Sequence, residues 1–167
     1  MAVSTSVQLT INALETLTGD LYNGSAPHLR TVSTEWTSGT GDAMADLSFS
    51  DRRSAAAAAD AIDLRGSLVG AFGNVLSFVE VKLILIVNRA TTSTHVLSVG
   101  AGSNPAFSGL FGATGDIIKV AAGGTFLWIA PYDGSGLLTT AGTADILTID
   151  PGANTISYDI VILGASA

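Results

Sequence analysis

The chain reads as an all-β protein: an antiparallel β-sandwich of jelly-roll type with an extended N-terminal arm. Three observations carry that reading. The run Phe78–Asn88 has the pattern of a strand in the middle of a sheet. Short alternating segments recur at roughly ten-residue intervals, with Gly, Pro, Asn and Asp between them. Within the first 45 residues, by contrast, one short alternating stretch is followed by Thr18–Gly41, dominated by Thr, Ser, Gly, Asn and Asp. Residues 1–45 are therefore expected to be an arm and loop, and residues 46–167 the sandwich.

In the central run, Val79, Val81, Leu83, Leu85 and Val87 share one face of an extended strand. Phe78, Ile84 and Ile86 share the other with Glu80 and Lys82. One face is wholly apolar and the second becomes so halfway along, which places the strand inside a sheet and not at its rim. Its β-branched residues, and the lack of a cap before Phe78, argue against a helix.

Taken in order, Val3, Val7, Leu9 and Ile11 alternate with polar residues and predict a first strand, with a helical turn possible over Ala13–Leu17. Thr18–Gly41, containing Pro27, reads as loop or as an arm that orders against something else. Trp36 within it is either a loop residue folded back on the core or an anchor for a partner's pocket. Ala43–Asp51 alternates again, with Leu47 and Phe49 inward. Ala55–Leu64 reads as turn plus strand despite its five alanines, too short a run for a free-standing helix. Arg65–Asn74 suggests a helical turn or compact loop. His95–Val99 is expected to pair antiparallel with the central strand, across a polar turn. Residues 100–115 form a glycine-rich connection whose Phe107 and Phe111 plug the sandwich's open end. Asp116–Val120 and Thr125–Ala130 are strands. Thr143–Asp150 and Thr155–Leu163 read as a hairpin around Pro151-Gly-Ala-Asn, with Ile156, Tyr158, Ile160 and Ile162 on one face.

Composition narrows the role. Hydrophobic residues make up 47% of the 167 and charged residues only 13%, so the exterior must be largely Ser, Thr, Gly and Ala. Such a surface suits a molecule covered by neighbours in an assembly; the alternative is a secreted sandwich with a Ser/Thr-rich coat. No uninterrupted apolar run approaches the ~18 residues a membrane helix requires. Nor does the N-terminus resemble a signal peptide. Net charge is −7 and the one basic pair is Arg52-Arg53, so no direct nucleic-acid partner is expected. The absence of cysteine removes disulfides and thiolate chemistry together.

Chemical motifs are sparse. His28 and His95 lie 67 positions apart, without metal-ligand spacing. No nucleophile elbow, phosphate loop or calcium loop is present, and the carboxylates fall mostly at turns. No enzyme activity, cofactor or metal is expected. Trp128, Tyr132 and Asp133 around one turn have the makings of a small sugar-binding cluster, although a core Trp and a turn Asp explain them more simply.

The order Val81-Lys-Leu-Ile-Leu-Ile-Val-Asn, His95-Val-Leu-Ser-Val-Gly, Gly123-Gly-Thr-Phe-Leu-Trp-Ile-Ala-Pro, Thr140-Ala-Gly-Thr-Ala-Asp-Ile-Leu-Thr-Ile and Tyr158-Asp-Ile-Val-Ile-Leu-Gly resembles small structural proteins of tailed-bacteriophage virions, most of all capsid decoration proteins. The resemblance covers about residues 60–167 and is structural, not catalytic. It implies a non-enzymatic cement protein, made in the host bacterial cytoplasm. Such a protein would bind the major capsid protein on the outer face of the head and self-associate, expected as a homotrimer. The contact is expected from Val7, Leu9, Ile11, Leu14 and Trp36. The alternatives are a carbohydrate- or receptor-binding module of a fibre or tail, using Tyr132 and Asp133, and a tail-tube or tail-tip component.

Overall fold

A computed structural model describes residues 3–21, 23–100, 102, 106–113, 115–131 and 134–167. Among them are thirteen strands and no helix. The order is β1 (Thr5–Thr18), β2 (Asn23–Trp36), β3 (Leu47–Ala56), β4 (Asp60–Asp63), β5 (Leu68–Val69), β6 (Val75–Leu76), β7 (Glu80–Asn88), β8 (Leu97–Gly100), β9 (Ile117–Val120), β10 (Thr125–Ile129), β11 (Leu137–Leu138), β12 (Ile146–Asp150) and β13 (Thr155–Ala165).

Two antiparallel sheets bury one core between them, the arrangement of a β-sandwich. The first runs β10-β7-β13-β3, with β11 also on β7; the second runs β4-β12-β8-β9. From the first come Phe49, Ile84, Ile86, Ile156, Tyr158, Ile160 and Ile162, and from the second Ile62, Leu97, Val99, Leu147 and Ile149. Phe107 is buried in this core and Phe111 packs on it half-buried. Asn88, fully buried at the end of β7, donates through Nδ2 to the carbonyls of Val120 (2.9 Å) and His95 (3.0 Å) and so ties the two sheets together.

The central strand is β7, flanked by β13 on one side and by β10 and β11 on the other. Its alternation is not the regular one. Leu163 pairs with Leu83 but Gly164 with Val81, so Lys82 is an extra residue in a β-bulge. The bulge reverses the facing of the β7 residues before it, Glu80 and Val81. Val81 joins Ile84 and Ile86 in the core, while Glu80 and Lys82 leave the Ile84 face to which simple alternation assigns them. A small residue is needed opposite: a Cβ on Gly164 would collide with the Glu80 carbonyl oxygen.

Five further expectations change. Ala13–Leu17 is strand, not helical turn, and Asn23–Trp36 is a full strand where loop was expected. Arg65–Asn74 contains no helical turn, and β5 and β6 form a minimal hairpin there. β8 pairs with β12 and β9, not with β7. β12 and β13 lie in different sheets, so Pro151–Asn154 turns the chain from one layer to the other and closes no hairpin. For β8 and for β13 the turn falls where the sequence puts it, but the strand that follows joins a different edge.

Candidate interaction surface

β1 and β2 form a separate two-stranded antiparallel ribbon, paired without interruption from Thr5↔Trp36 to Thr18↔Asn23. Register decides its chemistry. One face carries Thr5 and Trp36, then Val7 and Thr34, Leu9 and Val32, Ile11 and Arg30, Ala13 and His28, Glu15 and Ala26, Leu17 and Gly24. The opposite face begins with Ser6, Glu35, Gln8, Ser33, Thr10 and Thr31 and turns apolar only at Leu29, Leu14 and Pro27. The ribbon is thus amphipathic near its base and mixed on both faces further out.

At the base, Trp36 is buried in a second cluster with Ala45, Leu83 and Leu163, against which Val7, Leu85, Leu127, Ile129 and Val161 pack half-buried. This cluster lies on the outer face of the five-stranded sheet, away from the main core. Backbone hydrogen bonds from Thr37 to the Ala43 carbonyl (3.3 Å) and from Ala45 to the Thr37 carbonyl (2.9 Å) close the loop that seats Trp36. Beyond this anchor the ribbon stands clear of the sandwich. Leu9 is 43% exposed, Ile11 57% and Leu14 62%, while Leu17, Leu21 and Leu29 are exposed as well. A soluble chain rarely leaves so many large apolar side chains in one uncovered stretch.

Of the residues expected at an interface, Leu9, Ile11 and Leu14 are therefore exposed on the ribbon and Val7 is half-buried at its root. Trp36 is corrected: it packs inside its own chain and cannot serve as an anchor into a partner. Leu9 and Ile11 share a face with Trp36, and Leu14 lies on the other. Val32, Leu29 and Arg30 on β2 carry no strand signal in the sequence, because they lie in a stretch whose Gly24, Pro27, Ser and Thr have a loop's composition. Tyr132 and Asp133 lie outside the described residues. Trp128 is half-buried against the main core.

The other polar clusters are internal fastenings. Arg53 of β3 makes paired hydrogen bonds to Asp60 of β4 (2.7 and 2.9 Å), and the Tyr158 hydroxyl of β13 donates to the same carboxylate (2.6 Å). Burial alone would raise the Asp60 carboxyl, but the hydrogen bonds from Arg53 and Tyr158 outweigh it and hold it below the usual range. Burial, then the bond to Asp60, push the Tyr158 phenol up. Every strong donor and acceptor here is already engaged, and the cluster joins the two sheets. His28 faces Glu15 across the ribbon at 3.8 Å. Among the described residues no group of three His, Asp or Glu is placed to hold a metal ion, and no helix is long and apolar enough to cross a membrane.

Known proteins add nothing to this geometry: no family model, curated protein or solved structure matches the chain. The exposed ribbon is the feature that the chain itself leaves uncovered.

Proposed function

We propose that this protein is a non-enzymatic virion component, a decoration protein that clamps the outer face of a phage head through its N-terminal ribbon. The observation that carries the reading is the ribbon itself: 14 paired residues in each strand, anchored by a buried Trp36 and uncovered along an apolar face. A two-stranded ribbon is at best marginally stable alone in water. One that spends its apolar residues on solvent is built for a surface that arrives later.

The sandwich supports the reading at a coarser level. We take it to be a jelly roll, because β3, β4, β7, β8, β9, β10, β12 and β13 distribute as β10-β7-β13-β3 and β4-β12-β8-β9. Jelly rolls build viral coats and lectins alike, so the fold alone selects neither. The low charge and the uncovered ribbon favour the coat. On the head, several weak ribbon contacts acting together give avidity against the outward pressure of packaged DNA. Both ribbon edges are free to accept a further strand. Pro27 lacks an N–H, which leaves β1 as the better edge for backbone pairing.

The test is occupancy of shells stripped of the protein. Full-length chain is expected to rebind the outer face, and the double change Leu9→Ser with Ile11→Ser to lower occupancy at least tenfold. Wild-type chain that binds no shell, or a variant that binds as well as wild type, would sink the reading.

A further inference from the structure

Between the end of β2 and the start of β3, residues 37–46 form the mount on which the ribbon stands. Beside the mount, the apolar cluster around Trp36 holds the ribbon down without aiming it. Trp36 is buried, yet its Nε1 has no hydrogen-bond partner among the described residues, and Val7 beside it offers apolar contact alone. Burial of that kind is non-directional, so a ribbon held by it alone could tilt about Trp36. Direction comes from the mount. The Asp42 carbonyl accepts from Lys82 Nζ at 2.7 Å, and the Asp46 amide donates to the Gly164 carbonyl at 3.1 Å. The Ser38 hydroxyl accepts from the Val3 amide at 3.3 Å, which ties in the chain just before β1. Lys82 is the extra residue of the bulge in β7 and Gly164 lies opposite it, so the first two fastenings meet at the bulge.

A fully buried ammonium is costly beside an apolar side chain of the same size unless each of its protons is bonded. Lys82 meets that condition with the carbonyls of Asp42 and Gly134 and the Glu80 carboxylate at 2.9 Å. The backbone is shaped to allow it. A Cβ on Gly136 would collide with the Val81 carbonyl oxygen, so glycine lets this segment lie against the ion pair. A hydrogen bond from a charged donor in a dry site is both strong and restricted in angle. We propose that Lys82 is a positioning residue: it pins the mount at Asp42 and so sets the angle at which the ribbon leaves the sandwich. The bond from the Ser135 hydroxyl to the Asp42 carboxylate, 3.3 Å and open to water, adds little to that pin. The pin is a property of the free chain. Its use, presenting several ribbons at one angle to a regular shell, is the part that rests on the decoration role.

The chain contains no cysteine, so Ser33→Cys at the ribbon base and Thr155→Cys on the sandwich, both exposed, take one spin label each. Double electron–electron resonance on the full-length protein is expected to show one narrow distance. Lys82→Met and Glu80→Gln, made together so that no buried charge is left unpaired, should widen that distribution roughly threefold or more. Asp42→Ala keeps the carbonyl that Lys82 binds, and Ile84→Val weakens the core away from the mount; both should leave the distance narrow. Hydrogen exchange of the wild-type protein gives a second readout. The amides of Ala45 and Asp46 should be protected like those of β13 and far better than those of the ribbon. A broad distance without the Lys82 change, or Ala45 and Asp46 exchanging as fast as the ribbon, overturns the proposal even if the double variant fails to fold. So does a folded double variant that keeps the narrow distance. Equal broadening by Asp42→Ala or Ile84→Val overturns it as well, by giving the angle to the Ser135 contact or to overall stability. A narrow distance that is lost with Lys82, in a protein that binds no shell, would leave the pin standing and remove only the decoration role.

Discussion

Lys82 has no exposed surface, yet its charge is fully accounted for. Its Nζ donates to the carbonyls of Asp42 (2.7 Å) and Gly134 (3.3 Å) and pairs with Glu80 at 2.9 Å, while Glu80 also accepts from the Gly136 amide. A buried ion pair is tolerable when each remaining donor and acceptor is occupied, and the bulge at Lys82 is what aims the amine at two carbonyls. The Arg53–Asp60–Tyr158 fastening follows the same logic and makes a pH prediction. The folded-state pKa of Asp60 is depressed, so its contribution is present above the unfolded value of about 3.9 and fades as pH falls through the folded one. The folded-state pKa of Tyr158 is raised, so its contribution is complete below about 10 and is lost as pH rises further. Melting temperature should therefore fall at both extremes. Asp60→Asn should flatten the acid limb, Tyr158→Phe the alkaline one, and Asp60→Asn should cost about 1–3 kcal/mol at neutral pH by chemical denaturation.

At the scale of elements, the ribbon and the sandwich should differ in stability. Both outer edges of the ribbon are open and its side chains beyond Val7 bury little, so its amides are expected to exchange orders of magnitude faster than those of β7 and β13. Assembly should slow them. Trp36→Ala removes the anchor and should cost about 3–5 kcal/mol in the second cluster. It should speed exchange across β1 and β2 while leaving β12 protected; equal protection of ribbon and sandwich in the wild-type protein would count against this picture. The sequence shows β1 plainly, through Val7, Leu9 and Ile11, because alternation survives there. It hides β2, whose Pro27, Gly24 and run of Ser and Thr carry a loop's composition. β2 is a strand because β1 lies beside it, not because of its own propensity.

For the whole molecule, one shared core implies that the two sheets unfold together. Ile84→Ala, fully buried between them, is expected to lower stability by about 2–5 kcal/mol and to move the urea midpoint without changing the slope. Separate transitions for the two sheets would contradict that. The sequence alone determined the all-β class, the central place of Phe78–Asn88 and the inward face of Ile156, Tyr158, Ile160 and Ile162, since period-two burial is a local signal written in neighbouring residues. The exposed Leu9, Ile11 and Leu14 were legible as apolar positions in a polar stretch, though not as one ribbon with two distinct faces. Tertiary structure alone decided the strand order, the layer change at Pro151–Asn154, the burial of Trp36 and the bulge that turns Lys82. Each of these depends on which distant strand supplies the next row of hydrogen bonds, and residues far apart along the chain carry no local record of that choice.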